Sequence, residues 1–201
     1  MDNYEISRNR AQAYFLNFDQ ELVADTWHLQ RDERNLYTHF LGRPYSICRE
    51  NGIITRLWDG QQAGFGETLS IFDLLCHQGT GKYPAGTFAP VNSLRGGPSA
   101  GGVGVDFHRE TAARFHRETE KFCRACRSLG GDEVDMGDRG FRFHIFYDLD
   151  VILKFYYADE DFPASVTLLW DENTLRYVYY ETVFFIAGYL LGEICREMDR
   201  G

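Results

Sequence analysis

The feature that most constrains the fold is a change of hydrophobic period between Phe141 and Met198. From Phe141 apolar residues alternate, with Phe143, Ile145 and Tyr147 on one face and Arg142 and His144 on the other. That is the period of a β-strand. Asp148-Leu149-Asp150 makes a short polar break. Alternation then resumes with Val151, Leu153, Phe155 and Tyr157 against Ile152, Lys154 and Tyr156. Large side chains on both faces predict a central, covered strand. Ala158 to Pro163 reads as a turn, since proline cannot donate to a central ladder, and Ser165 to Trp170 as a third strand. After Asp171-Glu172-Asn173 the period becomes helical. Val183, Ile186, Ala187, Leu190, Ile194 and Met198 fall on one stripe. Each such side chain contributes about 1.5–3 kcal/mol when buried, so this helix supplies much of the core.

The upstream chain supplies partners for that unit. Asp2 to Phe18 reads as an amphipathic helix with Tyr4, Ala11, Tyr14, Phe15 and Phe18 near one face. Asp19 is the expected N-cap of a short second helix carrying Leu22, Val23 and Trp27. Three short strands follow: Asn35 to Leu41, ended by a turn at Gly42-Arg43-Pro44, then Tyr45 to Arg49 and Ile53 to Trp58. The last two meet across Asn51-Gly52, a pair that suits a type I′ turn. Gly66 to Gly79 is a helix with Leu69, Phe72, Leu75 and Cys76 inward and Gly79 as its stop. Residues 79–104 read as a long Gly/Pro-rich loop, of the kind that tends to be functional. A long helix, Asp106 to Leu129, is closed by Gly130-Gly131, and a polar loop, Asp132 to Gly140, completes the order. The whole predicts one α+β domain over residues 1–201. Its mostly antiparallel sheet is built from two meanders and packs against several helices, including the long C-terminal one.

Charge and cysteine usage narrow the function classes. The formal net charge of −9 argues against a nucleic-acid binder, which needs a basic surface. The positive charge is nearly all arginine, with Lys82, Lys121 and Lys154 the only lysines. The longest apolar run, Val183 to Leu191, is far short of the roughly 20 residues of a membrane span. Met1-Asp2-Asn3 opens a polar segment without a secretion signal pattern. Five scattered cysteines imply no disulfide framework. The expectation is a cytoplasmic protein without a membrane or nucleic-acid partner.

Several motifs together resemble an uncharacterised family of prokaryotic domains of unknown function, common in anaerobes. They are Asp159-Glu160-Asp161-Phe162-Pro163-Ala164-Ser165, then Leu168-Leu169-Trp170-Asp171, with Glu181 in the final helix. Leu74-Leu75-Cys76-His77 before a Gly-bearing loop and Ser128-Leu129-Gly130-Gly131 add to them. Two features depart from the family pattern: Trp170 stands where many relatives have phenylalanine, and Asp148-Leu149-Asp150 replaces a Pro-bearing turn. Some relatives are fused to iron–sulfur cluster domains, which implies a redox or corrinoid setting. The resemblance brings no catalytic residues to carry over.

Four stretches carry residues with chemical potential. In the long helix Phe107-His108-Arg109-Glu110-Thr111 recurs as Phe115-His116-Arg117-Glu118-Thr119, and His116 and Cys123 share a flank, a pairing that suits zinc or iron. Against it, Ala112, Phe115, Thr119, Phe122, Cys126 and Leu129 form a core stripe. The Gly-rich run with Gly96, Gly97, Gly101 and Gly102 offers backbone amides to an anion. No dinucleotide-type strand precedes it, however, and Asp106 repels anions. Asp159, Glu160 and Asp161 offer carboxylates to a cation or to acid–base chemistry, or are a solvated hairpin tip in which Pro163 is cis or ends an edge strand. Cys76-His77 pairs a thiol with an imidazole, but helical neighbours diverge by about 100°. That reads as a core cysteine beside a histidine that complements the helix dipole. The leading expectation is a module that binds a small molecule or protein partner between the sheet and the 79–104 loop. The alternatives are a metal-dependent enzyme using His108, His116, Cys123 and the acidic turn, and a structural partner of redox or corrinoid proteins.

Overall fold

Alternation and helical stripe both form close to where the sequence puts them. The break between the first two long strands is a turn at Tyr147-Asp148, with Tyr147 exposed at a φ of 55°, and Leu149 and Asp150 belong to the strand that follows. The computed structural model describes residues 3–97 and 108–201, and the chain divides into two compact units. One comprises residues 1–82 and 176–186, the other residues 83–175 and 187–201. Among the described residues there are six α-helices and two antiparallel sheets, so the fold is α+β. No described helix is long and apolar enough to cross a membrane.

The first unit begins with helices α1 (Asn3–Leu16) and α2 (Gln20–Thr26). Asp19 caps α2 as expected, its carboxylate accepting from the amides of Glu21 and Leu22. Strands β1 (Gln30–Arg31), β2 (Asn35–Phe40), β3 (Arg43–Cys48) and β4 (Ile54–Arg56) form a meander in that order, and helix α3 (Phe65–Cys76) follows. Phe15 of α1 stacks on Phe72 of α3 with ring centroids 4.7 Å apart. Glu67 fastens α3 to the sheet. Its buried carboxylate accepts from the Tyr45 hydroxyl at 2.7 Å, from Arg56 Nε at 2.9 Å and from the Gly64 amide at 2.7 Å.

The second unit holds β5 (Phe88–Pro90), α4 (Arg109–Arg117), α5 (Thr119–Ser128), β6 (Asp132–Val134), β7 (Arg139–Phe146), β8 (Leu149–Tyr156) and β9 (Ser165–Asp171). The sheet order is β5-β9-β8-β7-β6, so β8 is the middle strand that its two-faced apolar pattern predicts. Phe115, Phe122, Phe141 and Phe155 pack as one aromatic cluster. Asp171 is buried and accepts three amides, from Ala85, Gly86 and Asn173 at 2.8–2.9 Å. It thereby pins the segment that leads into β5. Helix α6 (Tyr180–Arg200) starts in the first unit and ends in the second. All six residues of its predicted stripe are buried.

Several expectations are corrected. The 79–104 stretch is not all loop: it contributes β5 and a 3₁₀ turn at Val91–Ser93. The expected polar loop after Gly131 contains β6. The long helix is broken at Glu118, whose φ of −122° and ψ of 41° are not helical. The positive-φ pair is Leu41-Gly42, which leaves Arg43 and Pro44 inside β3, whereas Asn51 keeps a negative φ and only Gly52 is positive. Leu22 is exposed rather than inward, as are Tyr4 and Tyr14. Pro163 is trans, since no cis peptide occurs among the described residues.

Glu67 gives the first unit a pH signature. Burial raises its carboxyl, but the donors Arg56, Gly64 and Tyr45 outweigh this and hold it below its ordinary 4.5. A depressed folded value means stabilisation that is present above about pH 4.5 and lost as pH falls through the folded value. Glu67→Gln is therefore expected to cost about 2–3 kcal/mol at neutral pH. In urea titrations the gap between variant and parent should close in acid. In the second unit, Asp171→Ala should cost about 3 kcal/mol and strip hydrogen-exchange protection from the Ala85 and Gly86 amides.

Candidate functional site

The first unit collects its chemically capable groups at the end of α3. The helix itself is apolar on almost every side, with Ile71, Phe72, Leu74, Leu75 and Cys76 buried. His77 is its C-cap, turning out of the helix at ψ 126° while its amide donates to the Asp73 carbonyl. Residues four apart on a helix face each other, and His77 Nδ1 stands 3.6 Å from Asp73 Oδ1. That exceeds hydrogen-bond range. Nδ1 is buried and has no hydrogen-bond partner. Asp73 Oδ2 is oriented by the Tyr179 amide, which donates to it at 2.8 Å. The Tyr179 ring stands edge-on to the His77 imidazole, with centroids 4.5 Å apart.

The segment after His77 folds tightly back. Gly79 lies so close to residue 176 that an added Cβ would stand 2.1 Å from the Arg176 carbonyl oxygen. Arg176 Nη1 donates to the Thr80 carbonyl at 2.9 Å. Gly81 takes a positive φ of 65°, and Lys82 brings its ammonium 4.7 Å above the Trp27 ring. Trp27 is fixed in turn: its indole N–H donates to the Leu75 carbonyl at 3.0 Å, and its ring packs on buried Tyr177.

Burial governs the electrostatics. It lowers the Lys82 ammonium below the usual lysine range, against the pull of Asp73 and Cys76. It pushes the Cys76 thiol up to about 12, with Asp73 adding to the effect. It also raises Tyr14, helped by Tyr179, Cys76 and Asp73, so these four groups sit within electrostatic reach of one another. A thiol with so high a value is protonated at neutral pH and is no nucleophile. What the cluster offers is an imidazole nitrogen, a carboxylate oxygen and an ammonium, beside two tyrosines that are 48% and 56% exposed (Tyr14 and Tyr179).

The residues singled out on sequence grounds lie mostly in the second unit. His116 is exposed on α4, and its Nδ1 accepts from the Ala158 amide at 3.3 Å, which brings it beside the acidic turn. In that turn Asp159 Oδ1 accepts from the amides of Asp161 and Phe162, while Glu160 and Asp161 are exposed. Cys123 is on α5, beyond the break at Glu118. Burial raises its thiol, against the pull of Arg139 and Arg127, and burial raises Cys126 further. His108 is the N-cap of α4. Gly96 has a positive φ of 87° in a turn closed by the Gly97 amide on the Leu94 carbonyl. Gly101, Gly102, Asp106 and Phe107 lie outside the described residues. A cleft of about 320 Å³ runs along the β6–β7 hairpin, lined by Glu133, Asp135, Asp138 and Arg139 among others. Among the described residues no three His, Cys, Asp or Glu side chains form a group that could hold a metal ion.

The α3 cluster was only half visible beforehand. Cys76 is core and His77 ends the helix, as read. Asp73 was missed, although its four-residue spacing to His77 was the available signal. Tyr14, Lys82 and Tyr179 come from distant stretches, and no local pattern joins them.

Gly79 supplies a direct check on this geometry. Gly79→Ala is expected to destabilise the protein by about 1–3 kcal/mol, because backbone must move. Gly66→Ala on α3, where the nearest neighbour of the new Cβ is Phe185 Cβ at 3.9 Å, should be neutral or stabilising by up to about 1 kcal/mol. Thermal melts of the two variants decide.

Comparison with known proteins gives a family and no more. Residues 19–193 match the model of a family described as a domain of unknown function, DUF3786, and the chain belongs to that family. No curated protein and no solved structure matches it. Asp73, His77, Lys82 and Tyr179 fall inside the matched stretch, and Tyr14 precedes it.

Proposed function

We propose that this family member is a small-ligand-binding module whose site is the end of α3 in the first unit. The observation that carries the reading is the buried His77 Nδ1, which has no hydrogen-bond partner. A buried polar atom left unpaired costs about 1–3 kcal/mol, and a ligand atom that meets it recovers that energy. Asp73 and Lys82 add a carboxylate and an ammonium near the same point, and the exposed rings of Tyr14 and Tyr179 flank it. Convergent polar groups beside aromatic rings are the usual make-up of a small-molecule site. The site is centred here rather than at the acidic turn because Asp159 Oδ1 already accepts two amides.

Binding is favoured over covalent catalysis because the neighbouring nucleophile is disabled: Cys76 is held as a neutral thiol. The test is a thermal-shift screen of small carboxylates, phosphates, amines and amino acids against the parent, His77→Ala and Tyr179→Ala. A ligand at a hundred times its Kd adds about 2.7 kcal/mol to stability. At least one compound should raise the melting temperature of the parent and of neither variant. Stabilisation that persists in both variants would refute the site.

A further inference from the structure

Lys82 brings an amine to the ligand cluster, and its surroundings set it apart from the other two lysines. We propose that Lys82 Nζ is a nucleophile that captures a small aldehyde or ketone as a reversible imine at the end of α3. This rests on the ligand-site reading above and adds the chemical class of the ligand.

The placement of the amine carries the inference. Lys82 is half-buried, yet among the described residues it makes no hydrogen bond or ion pair. It meets the face of Trp27 at 4.7 Å instead, and Trp27 is fixed by its bond to the Leu75 carbonyl. The chain is shaped to bring it there: Arg176 Nη1 holds the Thr80 carbonyl, and Gly81 turns at a φ of 65°. Asp73 acts on the charge of Lys82, and the same carboxylate stands 3.6 Å from His77 Nδ1. Lys121, by contrast, is paired with Glu118 at 3.7 Å, and Lys154 lies over the exposed ring of Tyr156. An amine taken out of water without a carboxylate partner gives up its proton more readily, and burial does lower Lys82 below the usual lysine range. Cys76, buried and protonated, does not compete for an electrophile.

The step balances without an oxidant or reductant. The Nζ lone pair forms a C–N bond to the carbonyl carbon while the carbonyl π pair moves to oxygen, giving a carbinolamine. Protons from nitrogen pass to that oxygen, the C–O bond breaks, and one water leaves behind the imine. Water added back reverses the capture. His77 Nδ1, buried and without a hydrogen-bond partner, is the group of this cluster suited to carry those protons. The half-exposed rings of Tyr14 and Tyr179 flank the rest of the ligand.

The test incubates the full chain with limiting benzaldehyde and cyanoborohydride, which reduces an imine to a stable secondary amine, and locates the benzyl groups by peptide mass spectrometry. The α-amino group, which also reacts, is the internal standard. Among the lysines, label should collect on Lys82, be lost in Lys82→Arg, and form about a hundredfold more slowly in His77→Ala. Lys82→Arg keeps a cation over Trp27, so it should melt with the parent. Label spread evenly over Lys82, Lys121 and Lys154, or absent from Lys82, overturns the proposal. Labelling of Lys82 at the parent's rate in folded His77→Ala overturns it as well. If the imine fails while compound shifts are still lost in His77→Ala, the ligand site stands without it. Shifts that persist in both His77→Ala and Tyr179→Ala would remove the two together.

Discussion

A carboxylate taken out of water loses several kcal/mol of hydration unless donors replace it, and each unit of this chain is organised by meeting that demand. In the first, Glu67 sits where α3 begins and gathers a hydroxyl, a guanidinium and an amide from β3, β4 and the turn before the helix. In the second, Asp171 ends β9 and gathers three amides, two of them from a segment some eighty-five residues earlier in the chain. Neither group tolerates partial satisfaction, because the low dielectric that strengthens each hydrogen bond also raises the cost of a missing one. Such anchors fix position more sharply than apolar contact, which is nondirectional. The α3 terminus that carries Asp73 and His77 is placed by a helix whose other end is clamped in this way.

What could be read in advance follows from range. Strands β7 to β9, the stripe of α6 and the Asp19 cap depend on neighbours within a few residues, and all were legible. The break at Glu118 was not, because no proline or glycine marks it. Its cause is tertiary. Phe115 and Phe122 stack with centroids 4.3 Å apart, yet seven residues of continuous helix would separate them by about 10.5 Å along the axis. The rings meet against Phe155 and Phe141 because the helix breaks between them. Thr119, whose hydroxyl bonds the carbonyls of Phe115 and His116, accommodates the change. Strand β5 was hidden for a similar reason: three residues ending in Pro90 carry no period, and only pairing with β9 makes them a strand.

The candidate site shows the same division. Cys76 and His77 were visible as chemistry, and Asp73 stood one helical turn away. Their joint meaning depends on Tyr179, about a hundred residues later in sequence, which orients the carboxylate with its amide and the imidazole with its ring. Lys82 reads locally as one residue of a glycine-bearing turn. It becomes distinctive only over Trp27, itself pinned to the α3 backbone. Motif searching finds donors. Which donors converge is decided by pairings far apart in the chain.

The arrangement of strand lengths has a consequence for how this protein behaves in a crowded solution. In each sheet the outer strands are the shortest: two and three residues in the first, β1 and β4, and three each in the second, β5 and β6. The inner strands run from six to eight residues. An unpaired edge is a template for a foreign strand, and its hazard grows with its length. The strongly apolar β8, the segment most capable of stacking with copies of itself, sits in the middle with neighbours on both sides. On one side the chain ends its sheet with a strand closed by Pro90, which has no amide hydrogen to offer. Resistance to aggregation is thus written into strand order, and lengthening β5 or β6 by a few apolar residues would be enough to weaken it.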